Sequence, residues 1–163
     1  MESQDEKAKK IVLKVREIRL SYGKLVRTSI RLDEEVTSSP DIAVKLLRSM
    51  GCRGPEETMG VIYLNAKNKP VAYATFSSGA IDRATIHPAG IIRRALLCGA
   101  AAIIVGHNHP SGDTTPSKED IELVRCLNKA ATLLNITVHD SLILSDVSGY
   151  LSCLAEGLLN KNN

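Results

Sequence analysis

The stretch Gly106-His107-Asn108-His109-Pro110, delivered by the apolar run Ala100 to Val105 and followed by Ser117-Lys118-Glu119-Asp120, decides how this chain is read. Ala100 to Val105 is continuously apolar with turn signals at both ends, the pattern of a strand covered on both faces. Open α/β sheets place their sites at the carboxyl ends of such strands, which is where the histidines fall. Two imidazoles one residue apart point the same way on extended backbone, because side chains alternate faces along a strand. Pro110 pushes His109 out of the helical region and so favours that extension. The pair can therefore close on one metal ion. Pro116-Ser117 opens a long helical pattern, and with Ser117 as N-cap the third helical position is Asp120, where the positive end of the helix dipole favours a carboxylate. Two neutral imidazoles and one carboxylate, with a fourth position left open, form the ligand set of a catalytic zinc (Zn2+) site: His107, His109 and Asp120. Each residue alone has a plainer reading. Ser117 and Asp120 also spell a capping box, and either histidine alone is an ordinary loop or surface residue. Together the two patterns favour the metal, since a cap needs no histidines.

The rest of the chain supplies a frame for that stretch. Ser38-Ser39-Pro40-Asp41 starts a short helix through Ile42, Val44, Leu46 and Leu47 that ends near Gly51. Glu56 and Glu57 stand directly before an apolar strand, Met59 to Asn65, and Lys67-Asn68-Lys69-Pro70 turns the chain into a second strand, Val71 to Phe76. His87-Pro88 begins a helix whose apolar side carries Ile91, Ile92, Ala95 and Leu96, with His87 read as a structural N-cap. The helix from Ser117 to Leu134 has apolar residues at Ile121, Val124, Leu127, Ala131 and Leu134, with Leu123 and Ala130 widening the stripe, so it is expected to pack deeply and hold Asp120 rigidly. A strand from Thr137 to Leu144 and an edge strand from Tyr150 to Leu154 follow, with His139 expected to face outward. These elements predict an α/β fold, a mixed central β-sheet flanked by helices. Residues 1–35 read as a basic N-terminal arm or strand, 36–159 as the domain and 160–163 as a polar tail.

Composition narrows the function classes. A chain of 163 residues with 44% hydrophobic residues fits one domain with a full core. There is no run near the length of a membrane span and no signal-peptide core, so no membrane partner and a cytoplasmic location are expected. Cys52, Cys98, Cys126 and Cys153 form no CxxC pair and read as reduced core filler. Between Lys7 and Arg31 nine cations face one acid, Glu17, but only Tyr22 is aromatic there, so the run reads more readily as a solvated face than as a nucleic-acid platform.

His107-Asn108-His109-Pro110 with Ser117 to Asp120 resembles the HxHP…SxxD core of the JAMM (JAB/MPN-type) metallopeptidases, and Gly106 to Asp113 resembles their bacterial RadC-like branch. The similarity runs from about Ser38 to Leu158 and includes Val61 to Asn65, His87-Pro88 and Asp140; where the branch usually has His after that acid, this chain has Ser141. The resemblance implies a three-layer, cytidine-deaminase-like α/β/α domain with zinc on His107, His109 and Asp120. It also implies a glutamate base upstream of the histidines, which selects Glu57 with Glu56 in reserve. Ser117 is then either an oxyanion donor or only the helix cap. The implied activity is hydrolysis of an amide or isopeptide bond in a protein or peptide substrate by metal-activated water. The alternative is a DNA-repair-associated or DNA-binding accessory module of the RadC type without peptidase activity, with any DNA association made through the basic N-terminal arm. The helical DNA-binding region that usually precedes the domain in that branch is not expected from residues 1–35. A nucleobase deaminase requires HxE or CxE with a later PCxxC, which the sequence lacks. An HNH-type nuclease matches only the letters of His107 to His109, since those enzymes spread the three residues over a ββα unit.

Overall fold

The computed structural model describes residues 39–77 and 87–159, together with residue 37. The basic arm and the polar tail lie outside the described residues. Among the described residues, three helices pack on one five-stranded sheet in the order β2-β1-β3-β4-β5. Helix α1 (Pro40–Ser49) starts where Ser39 accepts from the Asp41 amide and where proline sets the first turn. Strands β1 (Thr58–Leu64) and β2 (Pro70–Ser77) form an antiparallel hairpin across the Asn68 turn. Helix α2 (Pro88–Leu97) then crosses to β3 (Ala102–Asn108), which pairs antiparallel with β1. Helix α3 (Lys118–Leu133) leads to β4 (Thr137–Ser145), parallel to β3, and β5 (Gly149–Ser152) closes that edge antiparallel to β4.

Alternation along the central strands divides the core into two layers. Val61, Tyr63, Ile103 and Val105 pack against Ile91, Ala95, Val124 and Leu127 of α2 and α3. Ile62, Leu64, Ala102 and Ile104 pack against Val44, Leu46 and Leu47 of α1. The architecture is thus three-layered, as the resemblance implies, and β1 and β3 are buried on both faces because helices cover both sides. Gly60 and Gly106 are register partners across β1 and β3. A Cβ at Gly60 would come within 2.5 Å of Cys52 Sγ, and one at Gly106 within 2.5 Å of Leu47 Cδ1. The paired glycines leave a flat spot on which the end of α1 sits.

Several local details depart from expectation. β3 does not end at Val105 but carries His107, opposite Met59 and Ile143, and Asn108, opposite Leu144, within its ladder. His87 is the N-cap residue of α2, yet its side chain makes no capping bond. His139 is half-buried rather than outward, with Nε2 2.8 Å from Asn68 Oδ1. Only Cys52 and Cys153 are core filler; Cys98 is intermediate and Cys126 is exposed. At the corner where Ser141 stands, Asp140 is buried and accepts from the Ser141 amide, the Ser152 hydroxyl and the Leu154 amide, so this carboxylate ties β4 to β5 and the turn beyond it.

Candidate metal centre

The ladder position of His107 sets its direction. It continues the alternation of Ile103 and Val105, so its ring points to the layer of α2 and α3, where Asp120 lies. Gly106 and Asn108 take the other face. His109, two residues on, returns to the ring face, and its amide donates to Leu144 O, which keeps that residue tethered to the end of β4. Asp120 is the third residue of α3 and completes a capping box: the Asp120 amide donates to Ser117 Oγ at 3.0 Å, and the Ser117 amide donates to Asp120 Oδ2 at 2.8 Å. The Ser117 hydroxyl also donates to Asp120 Oδ2, at 2.7 Å. The capping and ligand readings of Asp120 are therefore compatible. Oδ2 is held by the cap, and that hold turns Oδ1 toward His107 Nε2 at 3.1 Å.

The side chains converge tightly. His107 Nε2 and His109 Nε2 are 2.9 Å apart, with ring planes inclined at 57°. His109 Nε2 is 3.4 Å from Asp120 Oδ2. One ligand atom from each of Glu57, His107, His109 and Asp120 lies within 4.8 Å of the others. For a tetrahedral ion with bonds of about 2.0–2.1 Å, neighbouring ligand atoms stand about 3.3 Å apart, so the spacing of the two nitrogens and the carboxylate fits a zinc-sized ion. Glu57 is exposed at the mouth while His107 is buried, so the set opens to solvent on the glutamate side. Glu56 does not join the cluster; its carbonyl instead accepts from Asn108.

Proton placement prepares His109 as a donor. His109 Nδ1 is 2.7 Å from Asp113 O. A carbonyl oxygen only accepts, so Nδ1 carries the hydrogen and the neutral ring turns a bare Nε2 to the centre, the tautomer that ligates metal. His107 Nε2 then carries the hydrogen that reaches His109 Nε2 and Asp120 Oδ1, leaving the buried His107 Nδ1 without a partner among the described residues. Burial pushes the Asp120 carboxyl up, but hydrogen bonds from His107 and Ser117 outweigh it and hold the group well below the usual carboxylate range. The centre is an anionic carboxylate beside two ring nitrogens with one shared hydrogen; a divalent cation would take that hydrogen's place once the hydrogen moves to His107 Nδ1, which frees Nε2 as a neutral ligand.

The wall of the centre is braced from β4. Gly112 O accepts from the Ser145 and Ser148 hydroxyls at 2.9 and 2.7 Å, fixing the loop that follows His109 to the β4–β5 turn. Gly112 has a φ of +87°, which a residue with a side chain adopts only under strain.

A model of the RadC-like JAB domain matches residues 36–158, which contain every residue of this cluster. The chain belongs to the RadC-like JAB domain family. Curated relatives include a UPF0758 protein of Pseudomonas putida (strain W619), 37% identical over 119 residues, covering 73% of this chain and 52% of the relative. A UPF0758 protein of Caldanaerobacter subterraneus subsp. tengcongensis is 35% identical over 130 residues, 80% of this chain and 56% of its own. One from Enterococcus faecalis is 37% identical over 123 residues, 75% and 52% respectively. This RadC-like JAB chain thus spans about half the length of the curated relatives it matches. Among its described residues no helix is long and apolar enough to cross a membrane.

Sequence reasoning found all four residues of the cluster but missed the buried amide of Asn108, whose partners lie in the segment 54–58. Nothing in the spacing of the motif marks the residue between the two histidines.

Proposed function

We propose that this chain is a zinc-dependent hydrolase of amide or isopeptide bonds in a protein or peptide, with His107, His109 and Asp120 holding the ion and Glu57 as general base. The observation that carries this reading is the convergence of four ligand atoms from residues 57, 107, 109 and 120 within 4.8 Å on a solvent-facing mouth. Zinc held there supplies a water acidified to a pKa of about 7 and polarises the scissile carbonyl. The protein supplies the rest. Glu57, the exposed member of the cluster, would take the proton of the attacking water and hand it to the departing amine nitrogen. Asp113 O fixes the His109 ring, and the cap of α3 fixes the Asp120 carboxylate, so the ligands are oriented before the ion arrives. Ser117 contributes first by orienting Asp120; as an oxyanion donor it acts only when its hydroxyl turns away from Oδ2.

The test is metal analysis of the purified chain followed by a screen of peptide and isopeptide substrates with and without chelator. Hydrolysis is expected to vanish with chelator and return with zinc. Glu57→Gln is expected to keep the ion and lower turnover by about 10²–10⁴-fold. A Glu57→Gln protein that cleaves as well as its parent removes the base from the scheme, and a parent that takes up no zinc removes the scheme itself.

A further inference from the structure

Asn108 sits between the two histidines but on the opposite face of β3, and it is 3% exposed. All three of its side-chain bonds run to the segment that carries Glu57. Its Oδ1 accepts from the Thr58 amide at 2.9 Å, while Nδ2 donates to Gly54 O at 3.1 Å and to Glu56 O at 3.0 Å. Both amide hydrogens and the carbonyl oxygen are thus used, and the peptide groups on either side of Glu57 are fixed to the strand that bears His107. Gly54, at a φ of +97°, lets the loop turn back so that its carbonyl reaches the amide. We infer that Asn108 is a positioning residue: its carboxamide clamps the loop between α1 and β1 and sets where the Glu57 carboxylate stands beside the metal centre. The two histidines hold the ion from one face of β3, and the residue between them locates the base from the other. A side chain that gathers two carbonyls and one amide must present two donors and one acceptor, which asparagine does at this length and aspartate does not.

The inference rests on Glu57 acting as the base in the reading above. Asn108→Ala is expected to lower kcat about 10–100-fold, the usual cost of losing a bond that orients a site, with KM and zinc stoichiometry retained. In the Glu57→Gln background the same substitution is expected to cost nothing further, because a clamp that acts only through Glu57 has no object there. Hydrogen exchange on the metal-free protein gives a readout independent of turnover: the Thr58 amide is expected to exchange faster in Asn108→Ala, with amides of Ile103 to Val105 unchanged. Asn108→Ser, which leaves a hydroxyl in the pocket, serves if the alanine variant does not fold. Loss of zinc in step with turnover, or an equal further loss in the Glu57→Gln background, overturns the assignment and makes Asn108 a general structural residue. If the parent hydrolyses no amide substrate, the hydrolase reading fails and the clamp is decided by exchange: a faster Thr58 amide supports it and an unchanged one overturns it.

Discussion

Asp120 does two jobs with two oxygens. Oδ2 closes the cap of α3 and Oδ1 faces His107, so the residue is rigid where a ligand must be rigid. Asp120→Asn keeps one carbonyl oxygen for the cap but removes the anionic charge; it is expected to leave α3 folded by circular dichroism and to lower zinc affinity about 10-fold or more. Unchanged zinc content would make Asp120 a cap alone. The cysteines divide by environment. Burial pushes the Cys52 thiol up to about 12 and that of Cys153 up to about 11, so neither offers thiolate near neutral pH. Cys126 is exposed and donates to Glu122, whose carboxylate raises it. A thiol reagent on the native protein is expected to label Cys126 at a rate that climbs as pH rises toward its raised value, and to spare Cys52 and Cys153; peptide mass mapping reads the order. Modification of Cys52 without unfolding would mean that the α1 layer opens readily.

At the scale of elements, the approach of α1 to the sheet depends on the paired glycines. Gly106→Ala sets a Cβ against Leu47 Cδ1 and 3.2 Å from Leu142 O, a neighbour in the backbone that cannot move aside. The overpacking is expected to cost about 1–3 kcal/mol. A chain of this size loses about 2–4 °C of Tm per kcal/mol, which thermal unfolding followed by circular dichroism measures. An unchanged Tm would mean that α1 shifts outward freely. All eight elements were legible from apolar period and turn chemistry, because helices on both faces make β1 and β3 uniformly apolar and give α1, α2 and α3 one-sided stripes. The end of β3 was not legible. Its ladder continues through His107 and Asn108 on backbone hydrogen bonds, to which a hydrophobic pattern is blind. Likewise the outward reading of His139 fails because its partner, Asn68, arrives from a turn 71 positions away in sequence.

For the whole molecule, the metal and the fold are linked. A candidate ligand set assembled from β3, the loop after it and the start of α3 exists only in the folded chain, so on the proposed function zinc would stabilise that chain by mass action. At free zinc 100 times its Kd the gain is about 2.7 kcal/mol, and chelation is expected to lower Tm by about 5–10 °C. A Tm indifferent to zinc would count against the centre. The candidate site was readable because its ligands are close in sequence and of distinctive type. Choosing Glu57 over Glu56 needed a family resemblance, since neighbouring glutamates in a loop look alike until the backbone decides which one faces the rings. The loop clamp was invisible, because it is made of backbone groups meeting one amide.

The side chains that would grip the ion lie on one uninterrupted length of chain from His107 to Asp120, whereas the proton acceptor arrives from a separate turn ahead of β1. On the proposed function, holding an ion and activating water are therefore encoded on different pieces of the gene. On the same reading, drift confined to residues 54–57 would leave a chain that still captures an ion but no longer activates water beside it.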